Sequence, residues 1–163
     1  MKVIGLTGGI GTGKSTVSAY LKQKNIPIVD ADQIAREITA PGSPVLDDIR
    51  ALLGDDVFFE DGTMDRQKGI YDMAVLDAPL LFECGLESQT DEDWVVDADL
   101  EIRISRVMAR DGISRQAIID RIQRQMSSEK KRELADFVID NSGSLDELYV
   151  QVDALLERKT DER

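Results

Sequence analysis

The chain has 163 residues, 42% of them hydrophobic and 32% charged, with a formal net charge of -12. This balance suits one soluble globular domain that buries ~70% of its unfolded surface, and it argues against a disordered chain. It also argues against a nucleic-acid or membrane-surface binder, because both need a basic footprint; an anionic substrate would have to meet a local basic patch. A single cysteine, Cys84, allows no internal disulfide, and the lack of histidine excludes His-based triads and His-ligated metals. The apolar N-terminal run is too short for a signal-peptide core, and no run approaches the ~18 residues that suggest a membrane span, so a cytoplasmic location is expected.

Val3-Ile4-Gly5-Leu6 reads as a buried strand that breaks into Gly8, Gly9, Gly11 and Gly13. Gly8, Gly13, Lys14 and Ser15 satisfy G-x-x-x-x-G-K-[ST], the phosphate-binding P-loop. Glycines let the backbone turn with positive φ and keep side chains off phosphate oxygens. Successive N–H groups then converge on an anion at the positive end of a helix. The expected binding stretch is Gly8, Gly9, Ile10, Gly11, Thr12, Gly13, Lys14, Ser15 and Thr16. Lys14 reaches the β- and γ-phosphates, and the Ser15 hydroxyl holds Mg²⁺.

A helix follows from about Gly13 to Lys24, with Val17, Tyr20 and Leu21 as its apolar stripe and Asn25 as its stop. Pro27-Ile28-Val29 reads as a second strand ending at Asp30, which makes a βαβ unit and implies a parallel sheet. Asp30 and Asp32 then stand at the carboxyl end of a strand, where open α/β sheets bind ligands. Two readings stand side by side: these acids face the phosphates, or one of them only caps a helix at Gln33 to Ile38. Pro44 to Leu53 reads as a short helix closed by Gly54, and Val57-Phe58-Phe59 as a short extended piece.

Met73 to Asp77 has the pattern of an interior strand. An acid closing such a strand in a P-loop protein suggests the position that holds Mg²⁺ directly or through water; the alternative for Asp77 is a merely solvated strand end. Cys84 falls in a loop and, with no histidine to activate it, reads as structural. Asp93 to Asp97 is a further strand, followed by a helix from about Asp99 to Arg110 and another from a Ser114 cap to about Met126. Six arginines between Arg103 and Arg124 make a local basic region in an acidic chain: a solvated face by charge alone, or cations for a phosphoryl group given the P-loop. Phe137 to Asp140 is the last strand, and Ser144 with Glu147 forms a capping box for the terminal helix.

Several of these stretches together resemble one family. GLTGGIGTGKST, DADQIAR and PGSP, then DGTMDR at 61–66, PLLFE at 79–83, RVMARDG at 106–112, RIQRQM at 121–126 and ADFVIDNSG at 135–143 are similar to the motifs of dephospho-CoA kinases. The match spans nearly the whole chain. The resemblance implies a single three-layer α/β/α P-loop kinase domain over 1–163, with a parallel sheet of about five strands and a helical lid near 105–127. It implies ATP-dependent phosphorylation of the 3′-hydroxyl of dephospho-CoA. In that reading the P-loop holds ATP, Ser15 binds Mg²⁺, Asp32 accepts the proton of the attacking hydroxyl, Arg110 and Arg121 neutralise transition-state charge, and Asn141 touches the adenine. The expected partners are ATP and dephospho-CoA, with no nucleic acid and no membrane; the oligomeric state is open, and a monomer is compatible.

The chain departs from the family pattern at one place. Family members continue past the DG-x-L-x-R segment with a helical stretch of several tens of residues that carries an HP dipeptide and forms much of the acceptor side. Here Arg66-Gln67-Lys68 runs straight into Gly69-Ile70-Tyr71: either the stretch is deleted, and a reduced substrate side near 40–70 is expected, or it is absent from this sequence alone. The rivals are another small-molecule P-loop kinase and a nucleotide-binding protein whose catalysis is impaired by that shortfall. A GTPase is disfavoured, because no N/T-K-x-D guanine motif occurs.

Overall fold

The computed structural model describes residues 2–30 and 72–158. Asp32, the readings at Gln33 to Ile38, Pro44 to Leu53 and Val57 to Phe59, the 61–66 motif and the junction at Lys68-Gly69 lie outside the described residues. Within them the order is β1 (Lys2–Gly8), α1 (Lys14–Gln23), β2 (Ile28–Asp30), β3 (Met73–Asp77), β4 (Glu92–Asp97), α2 (Leu100–Asp111), α3 (Arg115–Gln123), α4 (Ser128–Leu134), β5 (Phe137–Asp140) and α5 (Leu145–Arg158). One turn of 3-10 helix lies at Leu86–Gln89.

The strands form one sheet in the order β2-β3-β1-β4-β5, and every neighbouring pair is parallel. Side chains alternate across it with the two-residue period of a strand. Ile4 and Leu6 of β1, Val75 of β3, Trp94 and Val96 of β4 and Ile139 of β5 point to one face, where Val17 and Leu21 of α1 and Leu148 and Val152 of α5 cover them. Val95 points to the other face and packs with Ala78, Leu81 and Phe82 from the segment after β3, and with Met126 and Ala135 at either side of α4. The result is the three-layer α/β/α architecture. Each fully buried aliphatic side chain contributes ~1.5–3 kcal/mol, so the ten-residue cluster under α1 and α5 is the main source of stability.

Local signals in the sequence account for several helix ends. Asn25 takes the positive φ (60°) that stops α1. Ser114 accepts a hydrogen bond from the Ala117 N–H at the start of α3. Ser144 and Glu147 exchange bonds in both directions, Ser144 N–H to Glu147 Oε2 at 2.7 Å and Glu147 N–H to Ser144 Oγ at 3.3 Å. The helix expected to run to Met126 ends instead at Gln123, and a separate helix, α4, begins after a Ser127 cap. The last turn tightens, with the Arg124 and Gln125 N–H groups bonding three residues back to the Arg121 and Ile122 carbonyls, and the Met126 N–H leaves the helix to donate to Glu83. Cys84 is exposed rather than packed.

Asp93, on β4, is 8% exposed and faces the side covered by the segment after β3. Burial pushes its carboxyl above the usual carboxylate range, the Thr90 hydroxyl pulls it back, and the negative charges of Asp136, Glu87 and Glu92 add to the rise. An acid whose folded pKa is raised lowers stability as pH climbs from its ordinary value through the raised one. Asp93→Asn keeps an oxygen for the Thr90 hydroxyl and removes the charge. The variant should melt higher than the parent at pH 7, and the difference should vanish below pH 3.8, the ordinary value of the group; paired thermal melts across this range check the sign.

Candidate functional site

Parallel strands bring their carboxyl ends to one edge of the sheet. Gly8 ends β1 there, Asp77 ends β3, Asp97 ends β4, and Asn141 follows β5. The P-loop lies between β1 and α1 at this edge and floors a cavity of about 450 Å³. Gly8 to Gly11 and Gly13 to Ser15 line it from below; Arg106, Val107 and Arg110 of α2 line it from the side, with Pro79 and Gln125 completing the rim.

Gly13 caps α1 at φ 88°, a backbone region that L side chains rarely adopt, and a Cβ there would lie 2.1 Å from Asn141 Nδ2. That close approach serves a contact: Asn141 Nδ2 donates to the Thr12 carbonyl at 2.8 Å, and Asn141 is buried. Thr12 turns its own hydroxyl back to the Gly9 carbonyl at 2.9 Å. Arg106 Nη2 donates to the Asn141 carbonyl at 2.8 Å. Two buried polar atoms beside the loop, Arg106 Nη1 and Asn141 Oδ1, have no partner among the described residues.

Below the loop, the Asp77 carboxylate is held at both oxygens. Lys14 Nζ pairs with Oδ1, and the Ser18 hydroxyl donates to Oδ2. Ser18 stands four residues after Lys14, one turn along α1, so both reach the same carboxylate. Asp77 is 7% exposed and therefore not the solvated strand end of the alternative reading. Ser15, exposed at the cavity, and Asp77 are hard oxygen donors of the kind that suit Mg²⁺. Among the described residues no cluster of three or more acids, cysteines or histidines could hold a metal by itself. A site of this sort fits an ion carried largely by substrate phosphates and water.

The six arginines divide by position and do not form one basic face. Arg103 is buried, 5% exposed, and donates through Nε to the Ile10 carbonyl at 2.9 Å. Arg106 and Arg110 line the cavity. Arg110 makes two bonds to Asp111, at 2.6 and 2.9 Å, and that hydrogen-bonded charge raises its pKa. Arg121 is exposed on α3 and is not part of the cavity lining, although its charge acts on the same Asp111. Arg115 pairs with Glu101 at the surface. Arg124 is the exposed cap residue of α3.

A second polar link joins the segment after β3 to α4. The Lys131 ammonium, 2% exposed, donates to the Pro79 carbonyl at 2.9 Å and pairs with Glu83 at 2.9 Å. Burial alone would raise the Glu83 carboxyl, but Lys131 and the Met126 N–H outweigh it and hold the group below its usual range. Thr7 also donates to the Pro79 carbonyl, at 3.1 Å. Sequence reasoning did not assign roles to Ser18, Arg103, Gln125 or Lys131. Only Ser18 carried a local signal, its helical spacing from Lys14.

Known proteins give the context. The family description for dephospho-CoA kinase (CoaE) matches residues 2–70 and 67–147 in two pieces, which overlap at 67–70, around the junction of Lys68 and Gly69. A dephospho-CoA kinase of Carboxydothermus hydrogenoformans is 38% identical over 195 aligned positions, covering 97% of this chain and 94% of that one. The alignment is longer than this chain, so the relative carries positions that have no counterpart here. A solved structure from Thermus thermophilus is 31% identical and superposes with a TM-score of 0.72 over 96% of this chain and 97% of that one. The dephospho-CoA kinase of Campylobacter jejuni, 21% identical, shares the fold with a TM-score of 0.60 over both full chains. On the extent of these matches, the chain belongs to the dephospho-CoA kinase family.

Proposed function

We propose that this chain transfers the γ-phosphoryl group of ATP to the 3′-hydroxyl of dephospho-CoA, giving coenzyme A and ADP. The observation that carries the reading is one cavity with the P-loop on its floor and Arg106 and Arg110 on its wall, in a chain of this family. Phosphoryl transfer asks the protein mainly to position reactants and to stabilise charge on the equatorial oxygens. The N–H groups of the loop and the start of α1 bind the phosphates, and Lys14 leaves its pair with Asp77 to follow the γ-phosphoryl oxygens. Arg110, and Arg121 on lid closure, add positive charge from above. Asn141 Oδ1, buried and without a partner among the described residues, is available as an acceptor for the adenine amino group. Asp32, outside the described residues, takes the proton of the acceptor hydroxyl as it attacks.

Ser15 and Asp77 would hold Mg²⁺, which supplies positive charge to the β- and γ-phosphate oxygens when bound. A donor drawn from the intracellular ATP pool goes with a cytoplasmic location. The shortened stretch near 40–70 bears on the acceptor rather than on ATP: this chain holds dephospho-CoA more loosely than longer relatives do, with a raised KM for that substrate. The direct test offers the purified chain ATP with dephospho-CoA, with a nucleoside monophosphate and with shikimate in turn. Coenzyme A as the dominant product supports the reading, and faster turnover of either other acceptor overturns it.

Two variants probe the phosphate loop and the base. Lys14→Ala should nearly abolish turnover at saturating ATP, because the lysine supplies charge to the phosphates, and it should also lower the melt, because the buried Asp77 carboxylate loses its paired ammonium. Asp32→Asn keeps the shape and removes the base, and should lower kcat by ~10²–10⁴-fold with ATP affinity nearly unchanged. A drop in ATP affinity at constant kcat would reassign Asp32 to metal binding or structure.

The lid prediction separates catalysis from a solvated face. Cations that reach a transferring phosphoryl group are worth ~10³–10⁵-fold in favourable systems. Arg110→Ala, at the cavity wall, should lower kcat by at least an order of magnitude, and Arg121→Ala by less, neither shifting the thermal melt. Kinetics and melts run in parallel check this, and wild-type kcat in both variants would return the pair to the solvated surface.

A further inference from the structure

Ile10 stands at the tip of the P-loop, and both of its backbone groups are taken by side chains from the lid region. Its carbonyl accepts from Arg103 Nε at 2.9 Å, and its N–H donates to Gln125 Oε1 at 3.0 Å. Arg103 lies in the first turn of α2 and Gln125 just past α3, so the two grips bracket the lid helices. The Ile10 side chain packs on Ile104, Val107 and Ile118 of those same helices. We propose that Arg103 is a positioning residue for phosphoryl transfer: together with Gln125 it clamps the Ile10 peptide groups and ties the shape of the P-loop to the register of the lid.

The rest of Arg103 is built to hold this grip. Its Nη1 donates to the Ser128 hydroxyl at 2.8 Å and lies 3.9 Å from Asp97 Oδ1. Ser128 donates in turn to Asp97 Oδ1 at 3.2 Å, and Arg132 holds the other Asp97 oxygen at 2.6 Å. Asp97 is 2% exposed and closes β4, so the guanidinium is anchored to the rigid sheet and to α4 while it reaches the loop. A planar fork with several donors can serve the carbonyl, the hydroxyl and the carboxylate at once; an ammonium cannot match that geometry. Gly9 supports the assignment from the other side. A Cβ there would lie 2.6 Å from Arg103 Nη2, a clash with a side chain already fixed at two of its nitrogens. Arg106 and Arg110 follow Arg103 by three and seven residues on the same helix face, so the clamp sets where they stand over the phosphates. Arg103 itself is not part of the cavity lining and acts through the loop.

The proposal rests on the kinase reading, and its test separates the two. Arg103→Lys, Arg103→Met, Gln125→Leu and the double variant Arg103→Met/Gln125→Leu are compared with the parent by thermal melt, by titration of a fluorescent ADP analogue with Mg²⁺, and by KM for ATP and for dephospho-CoA. Gln125→Leu and Arg103→Met should each weaken nucleotide binding and raise KM for ATP by about tenfold, leaving KM for dephospho-CoA unchanged. Because both grips act on one residue, the double variant should fall well short of the product of the single effects. Arg103→Lys retains a buried cation beside Asp97 and should recover the melting temperature without recovering nucleotide affinity. Nucleotide affinity within twofold of the parent in Arg103→Lys and Gln125→Leu overturns the clamp, as does a loss of melting temperature alone. A parent chain that binds the ADP analogue but leaves dephospho-CoA unphosphorylated would sink the acceptor assignment, and the affinity comparison would still decide the clamp.

Discussion

A loop made to wrap phosphates braces itself only in part, here by the Thr12 hydroxyl and N–H on the Gly9 carbonyl. The glycines of the P-loop leave room for anionic oxygens and permit the left-handed turns at Gly11 and Gly13, but they bring no side chains to fix the backbone and lose more conformational freedom than other residues when ordered. The further bracing comes from elsewhere in the fold. Arg103 and Gln125 take the two peptide groups of Ile10, Asn141 takes the Thr12 carbonyl, and Arg106 secures Asn141. These four residues come from α2, from the link after α3 and from the end of β5, so parts distant in sequence converge on the loop.

The same arrangement explains how a chain of net charge -12 presents a site for a polyanion. Acids close the strands at the binding edge, and each described one there is tied to a partner. Asp77 receives Lys14 and Ser18, and Asp97 receives Ser128 and Arg132. Asp140 receives the Ser142 N–H and hydroxyl at 2.9 and 2.6 Å. These acids orient cations and turns, while Arg106 and Arg110 face the cavity with the loop's N–H groups. Local potential, not net charge, decides what the site attracts.

Features carried by local spacing were legible in the sequence. The P-loop, the five strands, the Ser144–Glu147 box and the stop at Asn25 follow from glycine placement, short apolar runs and capping chemistry. Asp77 was legible as a candidate because an acid ended an apolar strand next to a P-loop. Arg103 was not, because its helical spacing places it with Arg106 and Arg110; only the tertiary fold shows that the first of the three is buried against the loop. The division of the expected helix at Gln123 was hidden for a similar reason: the Met126 N–H leaves the helix for Glu83, a group more than 40 residues away in sequence. Asn141 was read as an adenine contact from the family pattern, and the geometry adds a grip on Thr12 that no sequence spacing announces.

The central claim is that the phosphate loop is held in shape by side chains outside it. Amide hydrogen exchange of Ile10, followed by NMR on the protein without nucleotide, measures this directly, since that N–H is the one held by Gln125. The account predicts protection that approaches that of the β1 amides. Exchange at the rate of an unstructured glycine loop would contradict it.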